Sequence, residues 1–125
     1  MKLISFIFIF VIVFVFLSLE NFVIADESEE IEYLLSFIAD SDCIFIRNGE
    51  KHSAKEARKH LEMKYNHAKK RIKTVEDFIN KIATKSSLTR KLYTVNCSGV
   101  LLPTKSWLED ALAHRRASRG NRKKN

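Results

Sequence analysis

His60, Lys64, His67 and Arg71 recur at spacings of four, three and four residues, which sets them on one face of a helix. Arg47, on a short apolar run upstream, can point at the same strip. Cations gathered in this way would hold a carboxylate, a phosphate or a sugar acid, with Tyr65 as an aromatic wall. The candidate binding set is therefore Arg47, His60, Lys64, Tyr65 and Arg71. A plainer account of the same residues is a solvated helix face on which the Lys64 stem lies over Tyr65. The binding account predicts that Arg47→Ala or Lys64→Ala leaves folding intact and abolishes co-purification of a partner.

Other chemistries find less support. His60 and His67 are two turns apart, about 10 Å along a helix axis, too far to share one zinc with bonds near ~2 Å. His52 and His114 are isolated, so no metal ligand set is assigned. Glu76-Asp77 and Glu109-Asp110 fall in the first turns of helices, where cap and dipole roles account for them. Ser86-Ser87 lacks the glycine flanks of a nucleophile elbow. No cofactor motif and no catalytic residue are identified. An enzyme survives in one form, a small hydrolase of envelope material with His60 as base.

The strip needs elements to hold it. Ile31, Leu34, Leu35 and Ile38 have helical spacing, so the reading places a first amphipathic helix at 29–40, with Asp26 to Glu30 fraying at its start. Cys43-Ile44-Phe45-Ile46-Arg47 reads as a strand closed by the turn pair Asn48-Gly49. Ser53 and Glu56 form a capping box for the helix that carries the strip, and its buried stripe runs Ala54, Ala57, Leu61, Tyr65, Ala68, Ile72. Thr74 and Asp77 cap a shorter helix lined by Val75, Phe78, Ile79 and Ile82. Leu92 to Cys97 alternates as a second strand before the turn Ser98-Gly99. Thr104 then caps a last helix with Trp107, Leu108, Ala111 and Leu112 inward.

The two cysteines can staple this arrangement. Set antiparallel with Cys97 opposite Cys43, the strands put Val95 across from Phe45 and Tyr93 across from Arg47. That register joins two apolar side chains, which favours it. A Cys43–Cys97 bond would stabilise by roughly 4 kcal/mol in the chain-entropy model. A thiol nucleophile is the alternative, but neither cysteine has flanking residues that would activate it. The expected fold class is α+β: about four helices packed around two short paired strands, with one disulfide.

The two ends of the chain differ in kind. Lys2, an unbroken apolar run from Leu3 to Leu17, and Val23 and Ala25 at the −3 and −1 places describe a secretory signal peptide cut between Ala25 and Asp26. The less favoured reading is a membrane anchor at residues 3–19, 17 residues long, or about 25 Å of helix against a bilayer core of about 30 Å. At the other end, six of the cations behind the net charge of +7 lie between Arg115 and Lys124. From 26 to 114 there remain 15 Lys and Arg against 14 Asp and Glu. A nearly neutral body argues against a whole-domain nucleic-acid footprint, and no nucleic acid partner is expected. The organisation is a signal peptide at 1–25, one α+β domain at 26–114 and a basic disordered tail at 115–125.

The order FIRNG, SAKEARKHLEMKY, RIKTVEDFI, SSL, LYTVNC and WLEDAL resembles a family of small exported bacterial proteins catalogued only as a domain of unknown function. The resemblance covers roughly residues 29–116. It implies export and one compact domain, and it supplies no reaction. The leading expectation is a periplasmic or secreted, non-enzymatic binding module whose partner is an envelope protein or an anionic ligand. The alternatives are the His60 hydrolase and a surface-association protein held to anionic membrane by its tail.

Overall fold

Ile31, Leu34, Leu35 and Ile38 must share one side of a helix, and in the computed structural model they do, each at 4% exposure or less. The structure describes the backbone of residues 2–124 and the side chains of residues 2–12 and 26–124. The signal-peptide expectation, with Ala25 at its cleavage point, falls in part on Met1 and residues 13–25, outside the described side chains. Helix α1 (Lys2–Asp40) runs straight through Asp26 to Glu30, where fraying was expected. Its described side chains from Lys2 to Ile12 are all exposed.

Four strands, not two, form the sheet. β1 (Ile44–Arg47) and β2 (Glu50–His52) make one hairpin, and β3 (Thr94–Cys97) and β4 (Val100–Pro103) make another. Each turns on two residues with positive φ, Asn48-Gly49 (52° and 79°) and Ser98-Gly99 (54° and 86°). Such a turn has the hand that lets a twisted pair of strands continue without splaying. The two turn signals were visible in the sequence; the strands returning from them were not drawn. The order is β2-β1-β3-β4, antiparallel throughout. β1 and β3 pair Phe45 with Val95 and Ile44 with Asn96, the register expected, and Cys43 is bonded to Cys97 with a Cα–Cα separation of 4.7 Å.

Helix α2 (Ala54–Ala68) begins on the capping box: Ser53 Oγ accepts from the Glu56 N–H, and the Glu56 carboxylate accepts from the Ser53 N–H. A 3₁₀ turn (Lys69–Arg71) follows. Helix α3 (Val75–Asp77) is capped by Thr74, whose hydroxyl accepts from the Asp77 N–H. Its first N–H, on Val75, is donated to the Glu27 carboxylate at 2.6 Å. α3 continues as a π-helical turn (Phe78–Ile82), and counting that turn the described residues hold five helices against the four expected.

α2 and α4 (Thr104–Arg122) lie on the sheet face that carries Phe45 and Val95, and α1 is laid against both helices. The other face is open, with Ile44 and Leu101 at 42% and 58% exposure. The core between them is filled by Leu34, Ile38, Phe78, Ile79 and Leu108, each side chain contributing about 1.5–3 kcal/mol by leaving water.

The expected disordered tail is a correction. α4 stays helical to Arg122, because three of its arginines find carboxylates on α1 and α3. Arg116 grips the buried Glu30 with two bonds (2.7 and 2.9 Å) and Glu76 with a third (2.9 Å). Arg115 reaches Glu29 at 2.7 Å, and Arg119 reaches Asp26 at 3.3 Å. The same pairs hold the start of the acidic segment in the helix. Glu30 is pulled below the usual carboxylate range, chiefly by its hydrogen bonds from Arg116.

Candidate functional site

α2 rests on the sheet through small and apolar side chains, Ala57 and Leu61, which with Phe45 make the floor of a hollow. Polar residues surround that floor: Arg47 from β1, His52 from β2, Glu56 and His60 from α2, Tyr93 just before β3, Thr94 in it, and Thr104 at the start of α4. The hollow is small, with a volume of about 40 Å³. Residues 45 to 104 of the chain are brought together here from two hairpins and two helices, so the site exists only in the folded domain.

Tyr93 is held first. Its N–H is donated to Thr84 O at 2.9 Å, and its carbonyl accepts from the Thr104 N–H at 3.0 Å, one step beyond the last β3–β4 pair. Both residues are thereby fixed by backbone. Lys64 then binds the phenol from behind, donating from Nζ to the Tyr93 hydroxyl at 3.2 Å, to Ile82 O at 2.8 Å and to Lys85 O at 3.1 Å. Those three acceptors use all three hydrogens of an ammonium. Two of them are carbonyls at and after a helix end, which otherwise lack partners. Lys64 is a structural bracket.

The bracket settles what His60 presents. Its Nε2 lies 3.3 Å from the Tyr93 hydroxyl. Lys64 can only donate, so the phenol oxygen accepts from it and its single hydrogen is free for the imidazole. Burial, with the charges of Arg47, Lys64 and His52 adding to it, pushes the His60 pKa down to about 4. The ring is therefore neutral at neutral pH, accepts at Nε2, and carries its hydrogen on Nδ1. Burial acts on the two neighbours as well, lowering the Lys64 pKa and raising that of Tyr93.

Two features of the hollow have no internal purpose. Arg47 is half-buried and, among the described residues, has no carboxylate within ion-pair distance. Thr104 is 1% exposed, and its hydroxyl has no hydrogen-bond partner, as is also true of His52 Nε2. A buried hydroxyl left unpaired costs about 1–3 kcal/mol. The one carboxylate on the lining, Glu56, is already committed to the Ser53 N–H.

The expected strip is split by this geometry. Arg47 and His60 meet at the hollow. Lys64 turns inward behind it. Tyr65 packs edge-on against Phe78, with ring centres 5.7 Å apart, and is no wall of the site. Arg71 is exposed on the 3₁₀ turn and borders a separate hollow with Lys64, His67 and Lys81. His52, Tyr93 and Thr104 were missed. Tyr93 could have been found, since the expected register set it across from Arg47. Thr104 was read as a helix cap, whereas the cap position is Pro103 and the threonine side chain points inward.

Comparison with known proteins places this arrangement among unassigned relatives. The model of a family described as "Family of unknown function (DUF5329)" matches residues 25–116. A protein of Salmonella typhimurium (strain LT2), named "Uncharacterized protein YfeK", is 41% identical over 70 residues, 55% of this chain and 58% of the relative. The chain thus matches less than two thirds of that relative's length. No solved structure matches.

Proposed function

The chain belongs to this family of unknown function, and from that premise we propose that it is a non-enzymatic binding module whose ligand sits in the hollow between α2 and the sheet. The observation that carries the reading is the Thr104 hydroxyl, buried and unpartnered beside an unpaired Arg47. Folding gains nothing from either group where it stands, so a ligand that satisfies both is the simplest reason for them. The His60 hydrolase is less well supported: Nε2 is occupied by the phenol, and among the described residues no carboxylate orients the ring from Nδ1. Membrane association through the tail retains Arg122, Lys123 and Lys124, because Arg115, Arg116 and Arg119 are engaged in ion pairs.

The binding reading has a test that separates function from stability. Thr104→Val removes an unsatisfied hydroxyl at constant shape, so stability is expected to hold or to rise by up to about 1 kcal/mol. Arg47→Gln removes no internal bond, and its effect should stay within about 0.5 kcal/mol. Native mass spectrometry of protein taken from its source should show a bound small molecule that both variants lose. A ligand retained by both would refute the site.

Export belongs to the same proposal. The disulfide suits an oxidising compartment, and among the described residues no helix is long and apolar enough to cross a membrane. A periplasmic or secreted protein beginning at Asp26, with an envelope protein or an anionic ligand as partner, is the form we expect. The intact non-reduced mass should correspond to residues 26–125 with no trappable thiol. Recovery of the full chain with two free thiols would end the case for export.

A further inference from the structure

The free groups of the hollow specify a kind of ligand. Lys64 has no hydrogen left to offer, since all three go to Ile82 O, Lys85 O and the Tyr93 hydroxyl. His60 has its Nε2 occupied by the phenol. The one cation on the lining with hydrogens still to offer is therefore the guanidinium of Arg47. Around it stand an uncommitted Nδ1–H on His60 and the Thr104 hydroxyl, which can donate or accept. Glu56 turns one carboxylate oxygen to the Ser53 N–H at the N-terminus of α2. A guanidinium fork matches the two oxygens of a carboxylate. A phosphate, with more oxygens to satisfy, would find one cation free to donate and a floor that gives it no hydrogen bond. Phe45, Ala57 and Leu61 make that floor, and it favours a carbon chain over water.

We infer that the hollow binds a small organic acid, its carboxylate on Arg47 and its hydrocarbon part against Phe45, Ala57 and Leu61. This rests on the binding-module reading above.

The test uses butyrate, its neutral isostere butyramide and inorganic phosphate, each titrated into the purified protein while the backbone and side-chain amide, imidazole and guanidinium signals are followed by NMR. Butyrate should shift His52, His60 and Thr104 and bind about tenfold or more tightly than butyramide, the worth of one charge-assisted hydrogen-bonded pair. Arg47→Gln should abolish that preference, and Thr104→Val should weaken both probes. Butyramide binding as well as butyrate, with both weakened in Thr104→Val, would overturn the acid assignment and leave the binding module standing. Phosphate binding ahead of butyrate would overturn it too, because the apolar floor would then contribute nothing. No shift at the hollow with any probe would overturn the site itself, and the proposed function with it.

Discussion

Lys64→Met is expected to destabilise the domain by about 3 kcal/mol, a fall of roughly 15 °C in Tm for a domain near 100 residues. Methionine keeps the length of the stem and its contact with the Tyr93 ring, but it leaves Ile82 O, Lys85 O and the Tyr93 hydroxyl without their donor. Hydrogen bonds from a charged donor are worth about 1.5–3 kcal/mol each. Partial access of water to the site and relief of the ammonium's desolvation bring the sum down. Lys55→Met, on the exposed side of α2, is the control and should change stability by no more than about 0.5 kcal/mol. Read from sequence, Lys64 was a ligand-binding cation whose loss would spare the fold. A thermal melt decides between the two roles, and a Tm for Lys64→Met within about 2 °C of the parent would restore the first one.

The second large effect concerns the disulfide. Cys43 and Cys97 are 54 residues apart, and opening a loop of that length costs about 4 kcal/mol in the chain-entropy model. β1–β3 is the only ladder that joins the two hairpins in the described residues, so the bond sits where the sheet would otherwise divide. Urea unfolding of the oxidised protein and of the Cys43→Ala/Cys97→Ala variant should differ by that amount. The variant should also show a larger m-value, since its unfolded chain is more expanded. A difference below about 1 kcal/mol would mean that packing of Phe45, Val95 and Trp107 already closes the sheet unaided.

Much of this fold was legible because the signals were local. The apolar spacing in α1, the Ser53–Glu56 box and the Thr74 cap each announce themselves within a few residues, and all three are present. The Phe45–Val95 register followed from two cysteines and two apolar side chains. β2 and β4 were not legible. Glu50-Lys51-His52 carries no β-branched residue and no Tyr, Phe or Trp, and Val100-Leu101-Leu102-Pro103 is exposed along its length with a proline at its end. Their pairing comes from the turn and the neighbouring strand and owes little to their own side chains. The helical tail was hidden for a related reason: the carboxylates that hold Arg115 and Arg116 lie 86 residues earlier in the chain.

The same holds at the site. Arg47 and His60 stood out because charge and aromatic nitrogen are properties of residues. The true place of Lys64 did not, because two of its acceptors are main-chain carbonyls, which any sequence possesses. Thr104 stood out least. Its significance is the absence of a partner, and that can be judged only when everything around it has been placed.

The hairpins also stand in a relation that their side chains conceal. Gly49 and Gly99 occupy the same place in their turns, and α2 and α4 start equally far beyond them, at Ala54 and Thr104. The domain core is thus two ββα halves related by a twofold axis through the Phe45–Val95 pair, which the axis maps onto itself. The same operation carries the Cys43–Cys97 pair onto Tyr93 and Arg47, and Ala54 onto Thr104. Two geometrically equivalent ends of one ladder have received opposite chemistry. One is sealed by sulfur beside an alanine; the other is left unbonded, with a guanidinium, a phenol and a buried, idle hydroxyl.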